Sequence, residues 1–373
     1  VMYRHVPSCT GGYRRGRVGT SGDGRRPGPG SRCCGQAGGG RRLARNKGGG
    51  GRATAELIAD LFQHHLTNPI LDQGNDAALL PSAAGRLVMS TDGHVISPIF
   101  FPGGDIGSLA VHGTLNDVAM AGAEPLYLTV GFILEEGFPL ADLERIVISM
   151  ARAAEAAGVP IVTGDTKVVE KGKGDGVFIT TTGLGVVPDG VHVSAACAKP
   201  GQAILLSGSL GDHGVAILSR RENLEFETEI RSDSAALHTL VAGMISAAPG
   251  IAVLRDPTRG GLAATLNEIA RTAKVGIHLE ENAIPIKPDV KAACELLGLD
   301  PLYVANEGKL VCLCEPGDAD AVLAAMRAHP LGRDAALIGT VTEDDAHLVE
   351  METEIGGVRV VDWLAGEQLP RIC

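Results

Sequence analysis

Apolar residues first recur at helical spacing at Leu57, Ile58, Leu61 and Phe62, which predicts a helix over 53–66. The pattern then gives short strands at 75–80 and 86–90, a helix at 108–121 and a buried strand at 125–134. A long Ala-rich helix follows at 140–158, closed by Gly158-Val-Pro160, and strands are predicted at 161–163 and 176–187. Lys199-Pro-Gly201 punctuates the chain, so a domain boundary is placed within 188–201. Beyond it come a strand at 202–207, helices at 211–220, 232–248 and 262–272, and a strand at 275–280. A helix at 288–297, a strand at 308–314 and the segments 319–329 and 337–341 complete the second half. Short strands and helices mix without a regular βαβ period, so the fold class expected is α+β, two mixed α/β domains rather than one doubly wound sheet. The expected organisation is a head at 1–47, an N-terminal domain at 48–190, a C-terminal domain at 191–345 and a C-terminal segment at 346–373. The last eight residues lack periodicity and contain Pro370, so a flexible C-terminal tail is expected.

Composition sharpens this picture. Of 373 residues, 45% are apolar but only 3% aromatic, so aliphatic side chains do the packing and stacking platforms for nucleic acid are lacking. No apolar run approaches the roughly 18–20 residues that cross a bilayer. The net charge of −11 conceals a break. Residues 1–52 carry twelve Lys and Arg, one acid and sixteen Gly, whereas the remainder carries 21 basic and 43 acidic residues. So acidic a body repels phosphate backbones, and neither nucleic acid nor membrane is an expected partner. The basic head cannot bury enough apolar surface to fold alone. It is either an RNA-touching tail or a translated stretch upstream of the true start. The second is preferred, because the chain opens with Val1 and periodicity begins only near Ala53. None of the eight cysteines forms a zinc-like spacing, and Cys312 and Cys314 alternate onto one face of a strand as buried packing thiols. A reduced, cytoplasmic protein is expected.

The candidate chemistry lies in acidic residues set among small neighbours: Asn75-Asp76, Thr91-Asp92-Gly93, Asn116-Asp117 and Gly164-Asp165-Thr-Lys167. A single such Asp is usually a turn former or helix cap. Four of them in one domain favour a polyphosphate and metal site, because Mg²⁺ takes a few carboxylates and leaves its other positions to phosphate and water. Gly49, Gly50 and Gly51 precede the first helix and can cradle phosphate on backbone N–H groups, although no P-loop Lys follows. Asp256-Pro-Thr-Arg259-Gly-Gly261 opens another helix, with Arg259 a candidate phosphate clamp or part of a capped loop. Glu307, in Asn306-Glu-Gly308, is either an exposed turn or a general base. The terminal Cys373 places a thiol on a tail that can sweep about 25–30 Å at roughly 3.3–3.6 Å per residue; chance alone could also put a Cys there.

Together these motifs resemble the HypE family of carbamoyl dehydratases, which serve nickel–iron hydrogenase maturation within the ATP-binding aminoimidazole ribonucleotide synthetase-like superfamily. The most specific segments are 90–107, 112–120, 165–169 and the terminal Pro370-Arg-Ile-Cys373. The resemblance implies domains of the aminoimidazole ribonucleotide synthetase type. It further implies an enzyme that uses ATP and Mg²⁺ to dehydrate an S-carboxamide on Cys373 to a thiocyanate, the source of the iron's cyano ligand. It makes Asp76, Asp92, Asp117 and Asp165 candidate metal ligands. Gly49, Gly50, Gly51, Asn116, Asp92, Asp165 and Arg259 become candidate ATP contacts, and Cys373, Lys167 and Glu307 candidate catalytic residues. The implied partners are a second copy in a homodimer, the carbamoyltransferase HypF and the HypC–HypD iron scaffold. One departure stands out: a strand ending in His is usual before the Gly run, and Lys47 with an Arg-rich head stands there instead. Another synthetase or kinase of the superfamily, or a non-catalytic scaffold, are the competing readings.

Overall fold

The computed structural model describes residues 42–43, 52–75, 77–224, 229–364 and 372. The first helical segment runs from α1 (Arg52–Leu57) through a π-helical turn (Ile58–Gln63) into α2 (His64–Leu66). It buries Phe62, which meets Phe132 with ring centroids 5.0 Å apart. The N-terminal domain is a four-stranded sheet of β1 (Arg86–His94), β4 (Glu124–Glu135), β5 (Ile161–Val169) and β6 (Val177–Val187) in the order β1-β6-β4-β5. Only β4 and β5 run parallel, joined through α4 (Leu140–Ala157). Leu143, Ile146, Val147 and Met150 recur at helical spacing and seal α4 against the sheet, and Gly158 caps it in the left-handed region.

A short hairpin, β2 (Phe100–Phe101) and β3 (Gly104–Asp105), leads into α3 (Ile106–Met120). Asp105 caps α3 by accepting from Gly107 N at 2.7 Å and Ser108 N at 3.2 Å. Nearly every residue of α3 is buried, because it lies on β1 and β6 while α4 and the second domain cover its other sides. Gly183 and Gly185 of β6 permit that approach: an added Cβ would stand 2.8 and 2.5 Å from Val118.

The C-terminal domain is a seven-stranded sheet, ordered β13-β12-β9-β11-β7-β10-β8. Its strands are β7 (Ala203–Leu206), β8 (Val253–Arg255), β9 (Gly276–Glu280), β10 (Val311–Cys314), β11 (Ala336–Thr342), β12 (Val349–Glu352) and β13 (Val358–Val360). On one face α7 (Gly261–Ala273) packs Leu262, Leu266 and Ile269 over Ile204, Leu206, Val311 and Leu313. The other face takes α6 (His238–Ala247) and α9 (Ala319–Ala328), with Met244 and Met326 over Leu205, Cys312 and Cys314. The two cysteines are thus buried packing groups. Helices α5 (Asp212–Arg221) and α8 (Pro288–Leu297) flank the sheet around a smaller cluster containing Val215 and Val290.

Three expectations fail for physical reasons. Residues 75 and 77–80 form no strand: β1 is an edge strand whose only described partner is β6, and Leu79 is exposed. The helix expected over 232–248 begins only at His238, because Ser232, Asp233 and Ser234 commit their side chains to other segments. The second sheet also runs past residue 345 through β12 and β13, whose short Val-Glu-Met-Glu alternation carries little signal. Among the described residues no helix is long and apolar enough to cross a membrane.

Candidate active site

Alternation along β1 sends Ser90, Asp92 and His94 toward α3 and leaves Leu87 and Met89, 62% and 70% exposed, on the open face of the sheet. On α3, residues 113, 116 and 117 fall on one side at i, i+3 and i+4. Ser90 Oγ donates to Asp117 Oδ2 at 2.8 Å. Asp92 Oδ1 accepts from Gly93 N at 2.8 Å, and its Oδ2 lies 3.8 Å from His94 Nε2. Burial, reinforced by the Asp92 charge, raises the Asp117 carboxyl above its ordinary value against the lowering pull of Ser90 and Arg255. Gly113 forms the floor. A Cβ there would stand 3.2 Å from His94 Cε1, 3.7 Å from Asp92 Oδ2 and 4.0 Å from Glu307 Oε2.

The C-terminal domain closes the site with two loops. After β8, burial and the charges of Asp117 and Asp92 push the Asp256 carboxyl up to about 7. Arg255 is engaged by Glu268, while the Arg259 charge is felt at His94, whose pKa burial already lowers. Glu307 is only 4% exposed, and its Oε1 is sealed from solvent with no hydrogen-bond partner. Burial first, then Asp256, Asp233, Asp92 and Asp117, raise its pKa well above the carboxylate range. Its backbone is held firmly: Glu307 N donates to Asp233 Oδ1 at 3.1 Å, and Asn116 Nδ2 donates to its carbonyl at 3.2 Å. Asn306 fastens the surrounding loops, accepting from Gly211 N at 2.8 Å and donating to Pro257 O and Val304 O, both at 3.0 Å.

The structure therefore gathers Asp92, Asp117, Glu307 and the Arg259 charge, and adds Asp256 and His94. Asn116 lies there too, but its amide is committed to backbone: Nδ2 to Ala235 O and Glu307 O, Oδ1 to Leu237 N at 2.8 Å. One of these bonds fixes the Glu307 carbonyl. Asp165 and Lys167 lie elsewhere within one chain. They share the open face of β5, three strands from β1, with Lys167 Nζ 3.1 Å from Asp165 Oδ2 and 67% exposed. Gly49, Gly50, Gly51, Asp76 and Cys373 fall outside the described residues. Of the tail, Ile372 is described: it bridges Ile96, and its carbonyl lies 2.7 Å from His213 Nε2. The sequence marks Asp256 only as the start of the Arg259 motif and His94 and Lys309 only as members of longer segments, and it assigns Asp233 and His213 no role. A Pro after Asp256 and the Ser-Asp-Ser run at the start of the helix expected over 232–248 were the available signals. Among the described residues no three His, Cys, Asp or Glu side chains form a metal-holding group by themselves.

Comparison with known proteins follows the same outline. Residues 74–187 match the N-terminal domain, and residues 199–351 the C-terminal domain, of the AIR synthase related proteins. Carbamoyl dehydratase HypE of Cupriavidus necator is 70% identical over 333 residues, spanning 89% of this chain and 95% of that protein. The chain belongs to the HypE family. A solved structure of hydrogenase maturation protein HypE in complex with ATP superposes with a TM-score of 0.86 at 53% identity, covering 89% of this chain and 100% of that one. A HypE in a HypE–HypF complex gives a TM-score of 0.73 at 49% identity, covering 83% and 99%. Two AIR synthase-like domains, as expected from the sequence, are thus the architecture of this HypE family member.

Proposed function

We propose that this chain is an ATP-dependent carbamoyl dehydratase acting on its own C-terminal Cys373. The observation that carries the reading is Glu307, a buried carboxyl with an unpartnered oxygen, facing Asp92, Asp117 and Asp256 across the Gly113 floor. In the reaction the carboxamide oxygen of Cys373–S–C(=O)NH₂ attacks the γ-phosphorus of ATP and ADP leaves. Loss of the nitrogen protons and of phosphate then gives Cys373–S–C≡N. Phosphorylation makes a good leaving group of a poor one, and the protein's part is to position the groups and stabilise charge. Glu307 takes the proton from nitrogen at its unpartnered Oε1. A base needs a pKa near the working pH, and cationic charge arriving in the cleft brings a carboxyl so strongly raised back toward that range.

Asp92 and Asp117, crowded by the raised carboxyls of Asp256 and Glu307, repel a triphosphate unless a cation arrives with it, which is the fit of this donor set to Mg²⁺. Asp92 and Asp117 are the residues that would hold it, and so few protein ligands would suit an ion that keeps phosphate and water as its remaining ones. Bound there, Mg²⁺ supplies charge neutralisation to the polyphosphate. Arg259, whose charge reaches His94, is the second domain's candidate clamp for the phosphates, since Arg255 is engaged by Glu268. The carboxamide arrives from a HypF-type carbamoyltransferase, and the cyano group leaves to a HypC–HypD iron scaffold. Two copies paired through the open face of the N-terminal sheet cover Leu87 and Met89. Asp165 and Lys167 then come to the seam, where they can join a nucleotide site that one chain does not offer them. The test is intact mass of the Cys373-carbamoylated chain before and after Mg-ATP, with Cys373→Ala as control. Loss of one water at the C-terminal peptide is expected, and an unchanged mass in a carbamoylated chain that binds ATP overturns the reading.

A further inference from the structure

The mechanism above leaves a buried polar network unused. His213, on the first turn of α5, is completely buried and meets Phe101 of the β2–β3 hairpin edge to face at 5.6 Å. Its Nε2 lies 2.7 Å from the Ile372 carbonyl, and its Nδ1 lies 2.8 Å from Ser232 Oγ. A carbonyl can only accept, so Nε2 carries the hydrogen and Nδ1 of the neutral ring accepts from the Ser232 hydroxyl. Ser232 Oγ in turn accepts from Ser234 N at 3.1 Å, while Ser234 Oγ lies 3.0 Å from His112 Nδ1. Every partner therefore specifies one tautomer of His213.

The tripeptide that orients His213 also holds the base. Asp233, between the two serines, accepts from Glu307 N at 3.1 Å and pairs with Lys309 Nζ at 3.0 Å. The side chain of Ile372, 3% exposed, is seated in the apolar cluster of Ile96, Ile217 and Ala305, and a Cβ on Gly214 would lie 3.4 Å from its Cδ1. Ile96 belongs to the N-terminal domain and the others to the C-terminal domain, so the socket lies where the two meet. Cys373 is the next residue in the chain.

We propose that His213 is a positioning residue, a latch whose Nε2–H seats the Ile372 carbonyl and thereby registers Cys373 against Glu307. The proposal deepens the dehydratase reading and rests on it. Loss of one buried hydrogen bond changes the docked-to-undocked ratio about tenfold, at roughly 1.4 kcal/mol per decade.

The test compares wild type, His213→Ala and His213→Gln as full-length carbamoylated chains. Three quantities are read: hydrogen exchange of the C-terminal peptide, the single-turnover rate of water loss at saturating Mg-ATP, and ATP affinity. In His213→Ala the docked-to-undocked ratio, read as turnover rate divided by exchange rate at Ile372, should fall about tenfold, shared between faster exchange and slower turnover, with ATP affinity within twofold of wild type. His213→Gln, whose amide restores a donor, should recover most of both. Should His213→Ala fail to fold, Ser232→Ala, which frees the ring to take the other tautomer, should lower the same quotient of turnover to exchange about threefold. A quotient of turnover to exchange that stays at the wild-type value in the variants overturns the latch. If wild type itself forms no thiocyanate, the dehydratase reading falls, and exchange alone decides whether His213 seats the tail.

Discussion

Replacing Gly113 by Ala separates the stability of the catalytic helix from its function. In mid-helix the change favours folding by roughly 1 kcal/mol, because Gly has more backbone freedom to lose. The new methyl would lie 3.2 Å from His94 Cε1, a tight contact whose relief costs about 1–2 kcal/mol. The two effects nearly cancel, so the melting temperature should move by only a few degrees. Binding should not escape. The methyl would stand 3.7 Å from Asp92 Oδ2 and 4.0 Å from Glu307 Oε2, filling the room between the oxygens. An ion held by these carboxylates would need room for its water and phosphate ligands, and that methyl would take it. Without the ion, the Asp92 and Asp117 charges face the triphosphate directly. Unit charges about 4 Å apart interact by about 4 kcal/mol at an effective dielectric of 20. Discounted for the partial exposure of Asp92, roughly 2–3 kcal/mol remains, a loss of about 30- to 100-fold. Calorimetric titration with a non-hydrolysable ATP analogue and Mg²⁺ measures it. An affinity within threefold of wild type, in a variant that melts normally, refutes the carboxylate cradle.

The raised Asp256 carboxyl should leave a mark on pH-dependent stability. Its folded-state pKa of about 7 stands above the ordinary 3.8, so the stability it contributes is complete below about pH 4 and lost as pH rises toward 7. Relative to wild type, Asp256→Asn should therefore gain stability across that window in nucleotide-free denaturant titrations, and a pH-independent difference between the two chains counts against the crowding. The open sheet face predicts that Met89→Asp turns a homodimer into monomers by sedimentation. A wild-type chain that is monomeric at high concentration removes that pairing altogether.

Much of this site was legible in the chain. Asp92 and Asp117 stand beside small residues in motifs that a strand and a helix present to each other, and the Asn306-Glu-Gly turn singled out Glu307. What the motifs lacked was sheet order. Asp165 and Lys167, two residues apart on a strand, had to share a face, but local pattern does not say which face. Nor does it place β6 and β4 between them and β1. Asp256 escaped notice because its character comes from crowding by Asp117, distant in sequence and near in space. Asn116 looked like a ligand contact, yet three backbone partners from the second domain claim its amide. Residues 232–237 have helical spacing, and lose the helix to hydrogen bonds that only the assembled fold provides.

The pair of glycines beneath α3 has a mechanical meaning. With Val118 lodged where two side chains would otherwise project, helix and sheet move as one body. The carboxylates of β1 and α3 therefore form a fixed anvil. Whatever opening and closing the cleft requires is then expected from the opposite jaw, the Asp256–Gly261 and Asn306–Gly308 loops, with Ile372 seated against Ala305. A methyl added at Gly185 would transmit its displacement along α3 to Asp117, so a substitution on the far side of the helix would be read out as a change in nucleotide handling.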